Sequence, residues 1–275
     1  MAAALTKHDL DVLDKIKDPE SGPSAPILIS DALPRDPHIT DPALYQRIVQ
    51  KEKAVIASIQ QIELQIAGLK ANLASTSPIQ QYQAATLSLD ALVEEFPAYA
   101  SARNNRAQAL RRIYGDAMLL SFAKERQGTA PPPLLPDAGA SQIIAASKTV
   151  LDDLDTAISL LSPRTPFAPL SPQAAKTLAQ AYTQRGALYH LTAKSLASAP
   201  VSGDSPPSLR IHSLRREAQW TTLEFEENAS RDFMLGGRYG NEIARQLAVS
   251  TNPTAKLCGD MVREAMRKEY AGAST

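Results

Sequence analysis

The side chains that could do chemistry are few and scattered. His8, His38, His190 and His212 fall in neither H-x-E nor H-E-x-x-H spacing, so a zinc hydrolase lacks its ligand set. Asp152, Asp153 and Asp155 could serve as paired carboxylates, but helical spacing spreads them over an outer face, where solvation is the default. Residues 236–240, Gly-Gly-Arg-Tyr-Gly, resemble a phosphate loop. They follow a helix rather than a strand and lack the Gly-Lys-Ser/Thr ending, so a helix C-terminal cap is expected there. Cys258 is the single cysteine, which leaves no internal disulfide and no multi-cysteine zinc site. Beside Leu257 it is expected to be a small buried apolar residue rather than a nucleophile. His190 follows Tyr189 and is expected to be a hydrogen-bonded histidine at the rim of a groove. The reading is a protein that is not an enzyme, with no cofactor and no metal.

Composition points the same way. In 275 residues, 44% are hydrophobic, rich in Ala, Leu and Ile, while aromatics reach only 5%, which favours helices over a sheet. Lys plus Arg equal Asp plus Glu at 29 each, so net charge gives no reason to bind nucleic acid or an anionic membrane. The N-terminus reaches Lys7 before any apolar run long enough for a secretory signal, and no window is apolar enough to span a bilayer. The expected location is the cytoplasm, with the nucleus left open.

Local punctuation divides the chain into 1–40, 41–240 and 241–275. Residues 1–40 carry a short amphipathic segment, Leu10, Leu13 and Ile16, ending at Asp18-Pro19, and read as an arm. Asp41-Pro42, Ser77-Pro78, Ser171-Pro172 and Asn252-Pro253 each pair a capping side chain with a proline suited to the first helical turn. The first helix is expected to run to about Leu73. Its apolar residues Val55, Ile59, Ile62, Ile66, Leu69 and Leu73 alternate steps of four and three, the seam of a coiled coil. The seam is shorter than the three to four heptads that make a coiled coil persuasive, so a long helix packed on its neighbour is the plainer reading. Further helices are expected from Ala100 to Phe122, over 141–161, and from Pro172. A later one packs through Trp220, Leu223, Ala229 and Phe233 and ends at Gly236-Gly237. A short helix then starts at Asn241, and a final one carries a capping stripe of Leu257, Met261 and Val262. Insertions are placed at 117–146, with the Pro-rich run 128–139, and at 198–210. The Pro-rich run reads as a surface loop or, alternatively, a ligand for a proline-recognising domain.

Residues 85–116 have the spacing of two joined helical hairpins. Ala85, Leu89 and Leu92 lead to Pro97, and the next helix carries Ala107 and Leu110. Small residues let helices approach, Leu89 fills the space between them, and Pro97 stops one helix before the next. This is the tetratricopeptide-repeat pattern. The chain further resembles the tetratricopeptide repeat protein 36 family through SARNNRAQALRRIYGD (101–116), VLDDLDTAISL (150–160), QRGALY (184–189) with ASRDF (229–233), and ARQLAVSTNPTAKLCGDMV (244–262). The resemblance implies an all-α fold of three hairpins in a short right-handed solenoid, closed by a C-terminal capping helix. It also implies a non-catalytic adaptor, associated with heat-shock chaperones of the seventy-kilodalton class. A second implied link is to tyrosine breakdown, through protection of 4-hydroxyphenylpyruvate dioxygenase.

In such scaffolds a client segment lies in the groove made by the first helix of each hairpin. The positions expected to line it are Asn104, Asn105, Gln108, Arg112, Gln180, Thr183 and Gln184. The family's grip on a chaperone tail, a clamp of Lys, Asn and Arg, maps onto Glu63, Ala67, Asn105, Gln180 and Gln184, where only Asn105 matches. Arg103, Arg106, Arg111 and Arg112 form a basic cluster expected to be solvated or to bridge helices, the alternative being an acidic peptide held in the groove beside Asn105 and Gln108, with Arg112 the groove member of the four. The alternative function is self-association between chains through the 55–73 seam.

Overall fold

The computed structural model describes residues 28–71, 76–121, 132–165, 168–198 and 208–272. The segment with Leu10, Leu13 and Ile16, residue His8, and most of the 198–210 insertion lie outside these residues. Among the described residues the fold is almost wholly helical. Its helices are α1 (Pro42–Ile66), α2 (Pro78–Glu95), α3 (Ala100–Tyr114), α4 (Ala140–Leu161), α5 (Pro172–Ala197), α6 (Thr222–Arg238), α7 (Glu242–Thr251) and α8 (Pro253–Gly272).

Capping explains the starts. The Asp41 carboxylate accepts from Ala43 N–H, Ser77 and Gln80 form a reciprocal capping box, and Ser171 accepts from Ala174 N–H. From α1 to α7 each helix packs on the next, while α3 also touches α5. The packing residues are those the spacing picked out. Ala85, Leu89, Leu92 and Ala107 are buried between α1, α2, α3 and α4, and Leu178, Tyr182, Gly186 and Tyr189 between α5 and its neighbours. A Cβ on Gly186 would stand 3.2 Å from the Phe233 ring, so a larger residue here would have to push that ring aside by a few tenths of an ångström.

Several element boundaries differ from expectation. α1 ends at Ile66, where Gly68 takes a positive φ of 70°, and Leu69 is left exposed; Leu73 lies outside the described residues. Ile62, only 2% exposed, packs on Tyr82, Ala85, Leu89, Ala109 and Ile113 of its own chain, so this seam position is covered by α2 and α3, while Val55, Ile59 and Ile66 are only partly so. α3 stops at Tyr114 rather than Phe122, because Gly115 turns the chain at a φ of 86°. Beyond that turn the chain re-enters the core: Met118, Leu119 and Leu120 are buried, and β1 (Leu120–Ser121) pairs antiparallel with β2 (Ser208–Leu209). The two insertions therefore clasp each other. α4 begins at Ala140, which shortens the first insertion, since Ile143 and Ala146 are already packed in the helix.

The described part of the Pro-rich run is no free loop. Leu134 and Leu135 donate their N–H groups to the carbonyls of Arg112 (3.3 Å) and Ile113 (2.9 Å), which satisfies the end of α3. The arm is likewise anchored: Ser30 N–H donates to Leu170 O (2.9 Å), and His38 Nε2 donates to Leu160 O (3.0 Å).

At the other end, α6 runs through Gly236-Gly237, and the turn is made by Gly240 at a φ of 100°. The two glycines serve close packing instead. A Cβ on Gly237 would lie 2.7 Å from Arg245 Cα of α7. Trp220 precedes α6, with its ring edge-on to Tyr189 and Phe225, while Leu223 is exposed. The expected cap stripe points outward: Leu257, Met261 and Val262 are 61%, 63% and 56% exposed, and Cys258 is exposed too. Among the described residues no helix is long and apolar enough to cross a bilayer.

Candidate partner-binding groove

α1, α3 and α5 share one face of the molecule, and between them runs an open groove of about 1170 Å³. Asn104, Asn105, Gln108, Arg112, Gln180, Thr183 and Gln184 all line it. Helical periodicity is why: positions 104, 105, 108 and 112 recur every three or four residues on α3, and 180, 183 and 184 do so on α5.

The polar floor is a hydrogen-bonded relay. Gln184 Nε2 donates to Asn104 Oδ1 at 2.8 Å, and Arg111 donates from one side to Gln184 Oε1 (3.1 Å) and from the other to Asp116 (2.9 Å). Asn105 Nδ2 donates to the buried Glu52 carboxylate at 2.8 Å, which also accepts from Tyr99 Oη at 2.6 Å. Burial, then the charge and hydrogen bond of Glu52, push the Tyr99 hydroxyl far above its ordinary range, so it remains a proton donor. Thr183 turns its hydroxyl back to Ala179 O (2.7 Å). Gln108 and Gln180 are exposed to the groove.

Arg112, expected to face a ligand, is engaged within the chain. It donates to both Glu63 oxygens (2.8 and 3.3 Å) and to Pro132 O (2.9 Å). Beside that pair, burial and the Glu63 carboxylate raise the Tyr82 hydroxyl to about 12. The spacing also passed over the opposite wall, where Ile56, Ile59 and Leu64 of α1 face the groove with Tyr82. The seam pattern flagged Ile59 as a packing residue, and nothing in sequence separated its covered side from its open one.

The remaining basic residues bridge helices. Arg106 makes a bidentate pair with Asp153 (2.6 and 2.7 Å) and reaches Asp90 (2.9 Å), while Arg103 joins Asp153 at 3.0 Å. Asp153 is only 1% exposed, which overturns the solvated reading for that carboxylate, while the Asp152 and Asp155 side chains stay 42% and 32% exposed. Asp155 accepts from Arg185 and Arg215, each at 2.6 Å, and Arg215 also holds Asp152. Arg185 in turn grips Asp232 with two bonds of 2.7 Å. Glu217, wholly buried, accepts from Tyr189 Oη (2.8 Å) and Arg215; burial alone would raise its carboxyl, but these bonds hold it below the usual value. The acidic run seen in sequence is thus half of an arginine–carboxylate lattice tying α3 to α4, α5 and α6. His190 lies away from the groove, against Phe233 of α6, with its Nδ1 buried and without a partner among the described residues. Burial, then the charges of Lys256 and Lys194, lower its pKa. Among the described residues, no three His, Cys, Asp or Glu side chains gather where they could hold a metal ion.

Over 275 residues the chain is 36% identical to the L-tyrosine degradation gene cluster protein hmgX of Aspergillus fumigatus, covering 98% of this chain and 94% of that protein. The chain belongs to the hmgX family. No family model matches it, and no solved structure does.

Proposed function

We propose that this hmgX-family chain is a non-catalytic adaptor of L-tyrosine degradation that holds an extended client segment in the α1/α3/α5 groove. The observation that carries the reading is the convergence of neutral amides from α3 and α5 with an apolar wall from α1 on one open face. The pathway comes from the name of the relative. We read α1/α2, α3/α4 and α5/α6 as three tetratricopeptide hairpins of a short solenoid whose first helices form the groove, with α7 and α8 closing the array. The client class that fits is a tyrosine-degrading enzyme, held and stabilised in the manner of a co-chaperone in the cytoplasm. A chaperone of the seventy-kilodalton class fits less well as a tail ligand, because Glu63, Ala67, Gln180 and Gln184 supply no cation at the clamp positions.

The test is complementation of an A. fumigatus strain lacking hmgX, grown on L-tyrosine as carbon source. Wild type is expected to restore growth and the abundance of the tyrosine-degrading enzymes, and Gln108→Ala/Gln180→Ala is not. Full rescue by the variant would remove the groove from the account. Failure of wild type to change either readout would remove the pathway link.

A further inference from the structure

We propose that the groove's occupant is an uncharged, extended and largely apolar segment from within a partner chain, not an acidic chain terminus. The inference rests on the groove reading above and names the chemistry that the groove selects. Three observations lead to it. First, the lining carries two cations and two anions, and each cation is already matched: Arg111 to Asp116 and Arg112 to Glu63, at 2.8 Å in both cases. A carboxylate entering here would have to displace an intramolecular partner and would face two resident carboxylates. Second, the groups left facing the open space are of two kinds. Gln108 offers an amide that can donate to and accept from a peptide backbone, and Gln180, whose oxygen takes a 3.4 Å bond from Asn104 Nδ2, keeps its NH2 and a second lone pair for one. Ile56, Ile59 and Leu64 offer a wall against which a large apolar side chain can be buried.

Third, the protein shows the mode of binding within itself. At the groove rim Gly115 abuts a bent, non-helical stretch, Pro132–Leu135, with the Pro133 ring 3.4 Å from where a Cβ on Gly115 would be. That stretch has no charge. Arg112 holds it through the main-chain carbonyl of Pro132, and helix α3 holds it through the N–H groups of Leu134 and Leu135. Groove residues therefore hold an uncharged, non-helical segment of the chain itself, with Arg112, its carboxylate need met by Glu63, still serving as a main-chain donor.

The experiment is selection on full-length protein from two phage libraries of random dodecapeptides. One displays peptides with a free C-terminal carboxylate, the other displays them tethered at their C-terminal end. The expected result is enrichment from the tethered library of low-charge sequences with at least one large apolar residue. Affinity of the selected peptide should fall about tenfold on Gln108→Ala/Gln180→Ala, while Gln180→Glu, which keeps an acceptor for Asn104 Nδ2, keeps the fold and still weakens binding. Raising NaCl from about 50 to 500 mM should change it less than about twofold, since no net charge is neutralised. Enrichment of acidic sequences from the free-carboxylate library alone, lost in the variant, would overturn this inference and leave the groove reading standing. Enrichment that the variant does not diminish, or none from either library, would overturn both.

Discussion

Two polar regions of this molecule are built on opposite principles. Behind α3 and α5, Arg103, Arg106, Arg185 and Arg215 meet Asp90, Asp152, Asp153, Asp155, Asp232 and Glu217 in a lattice whose central acids are buried. In front, the same two helices line an open groove with neutral amides and with Arg111 and Arg112, each paired to a carboxylate of the chain itself. Unlike charges fix the helices in register behind, whereas the front face has its few charges cancelled in pairs and its exposed groups neutral, as the proposed function requires. The reason is desolvation: a buried ion pair tolerates no loss of a partner, whereas a neutral amide exchanges water for ligand at little net cost.

Substitutions should separate the two regions. The largest effect is expected behind the groove, where Asp153→Ala leaves Arg103 and Arg106 without their shared buried acceptor. Urea denaturation should show a loss of about 3–5 kcal/mol. A wild-type midpoint would mean that the lattice is ornament. Next, Gly237→Ala forces a methyl into Arg245 of α7. It should cost about 1–3 kcal/mol by the same assay and loosen α7 from α6. In front, Gln108→Ala/Gln180→Ala should cost no more than about 1 kcal/mol, the long bond from Asn104 Nδ2 to Gln180 included, while weakening partner binding.

The smallest effect concerns pH. His190 has a pKa below the ordinary 6.5, so the folded state favours its neutral form. Its contribution to stability is complete above that ordinary value and is lost as pH falls below it through the lowered folded value. A thermal melt series should therefore show wild type losing more stability than His190→Gln between about pH 6.5 and 5. Equal slopes would place the acid sensitivity elsewhere.

The difference between the regions also decides what could be read in the sequence. Helix starts were legible because Asp41, Ser77, Ser171 and Asn241 cap through local bonds to residues two or three positions on. The groove residues were legible because period alone brings 104, 108, 180 and 184 to one face. The lattice was not. Asp153 meets Arg106 across 47 residues, and no local pattern tells a carboxylate that will be buried from one that will be solvated. The same blindness to distant partners hid the β1–β2 clasp between insertions, the docking of Leu134 and Leu135 on α3, and the engagement of Arg112 by Glu63. It also reversed the C-terminal stripe: apolar spacing on α8 predicted burial, but Leu257, Met261 and Val262 face outward because α8 meets α6 and α7 through other residues.

The central claim is that the groove holds part of a tyrosine-degrading enzyme. Quantitative affinity capture from cells grown on L-tyrosine, with wild type beside Gln108→Ala/Gln180→Ala, tests it most directly. The account predicts that such an enzyme is enriched with wild type and falls about tenfold with the variant. Equal recovery with both proteins, or recovery of no enzyme of that pathway, would contradict it.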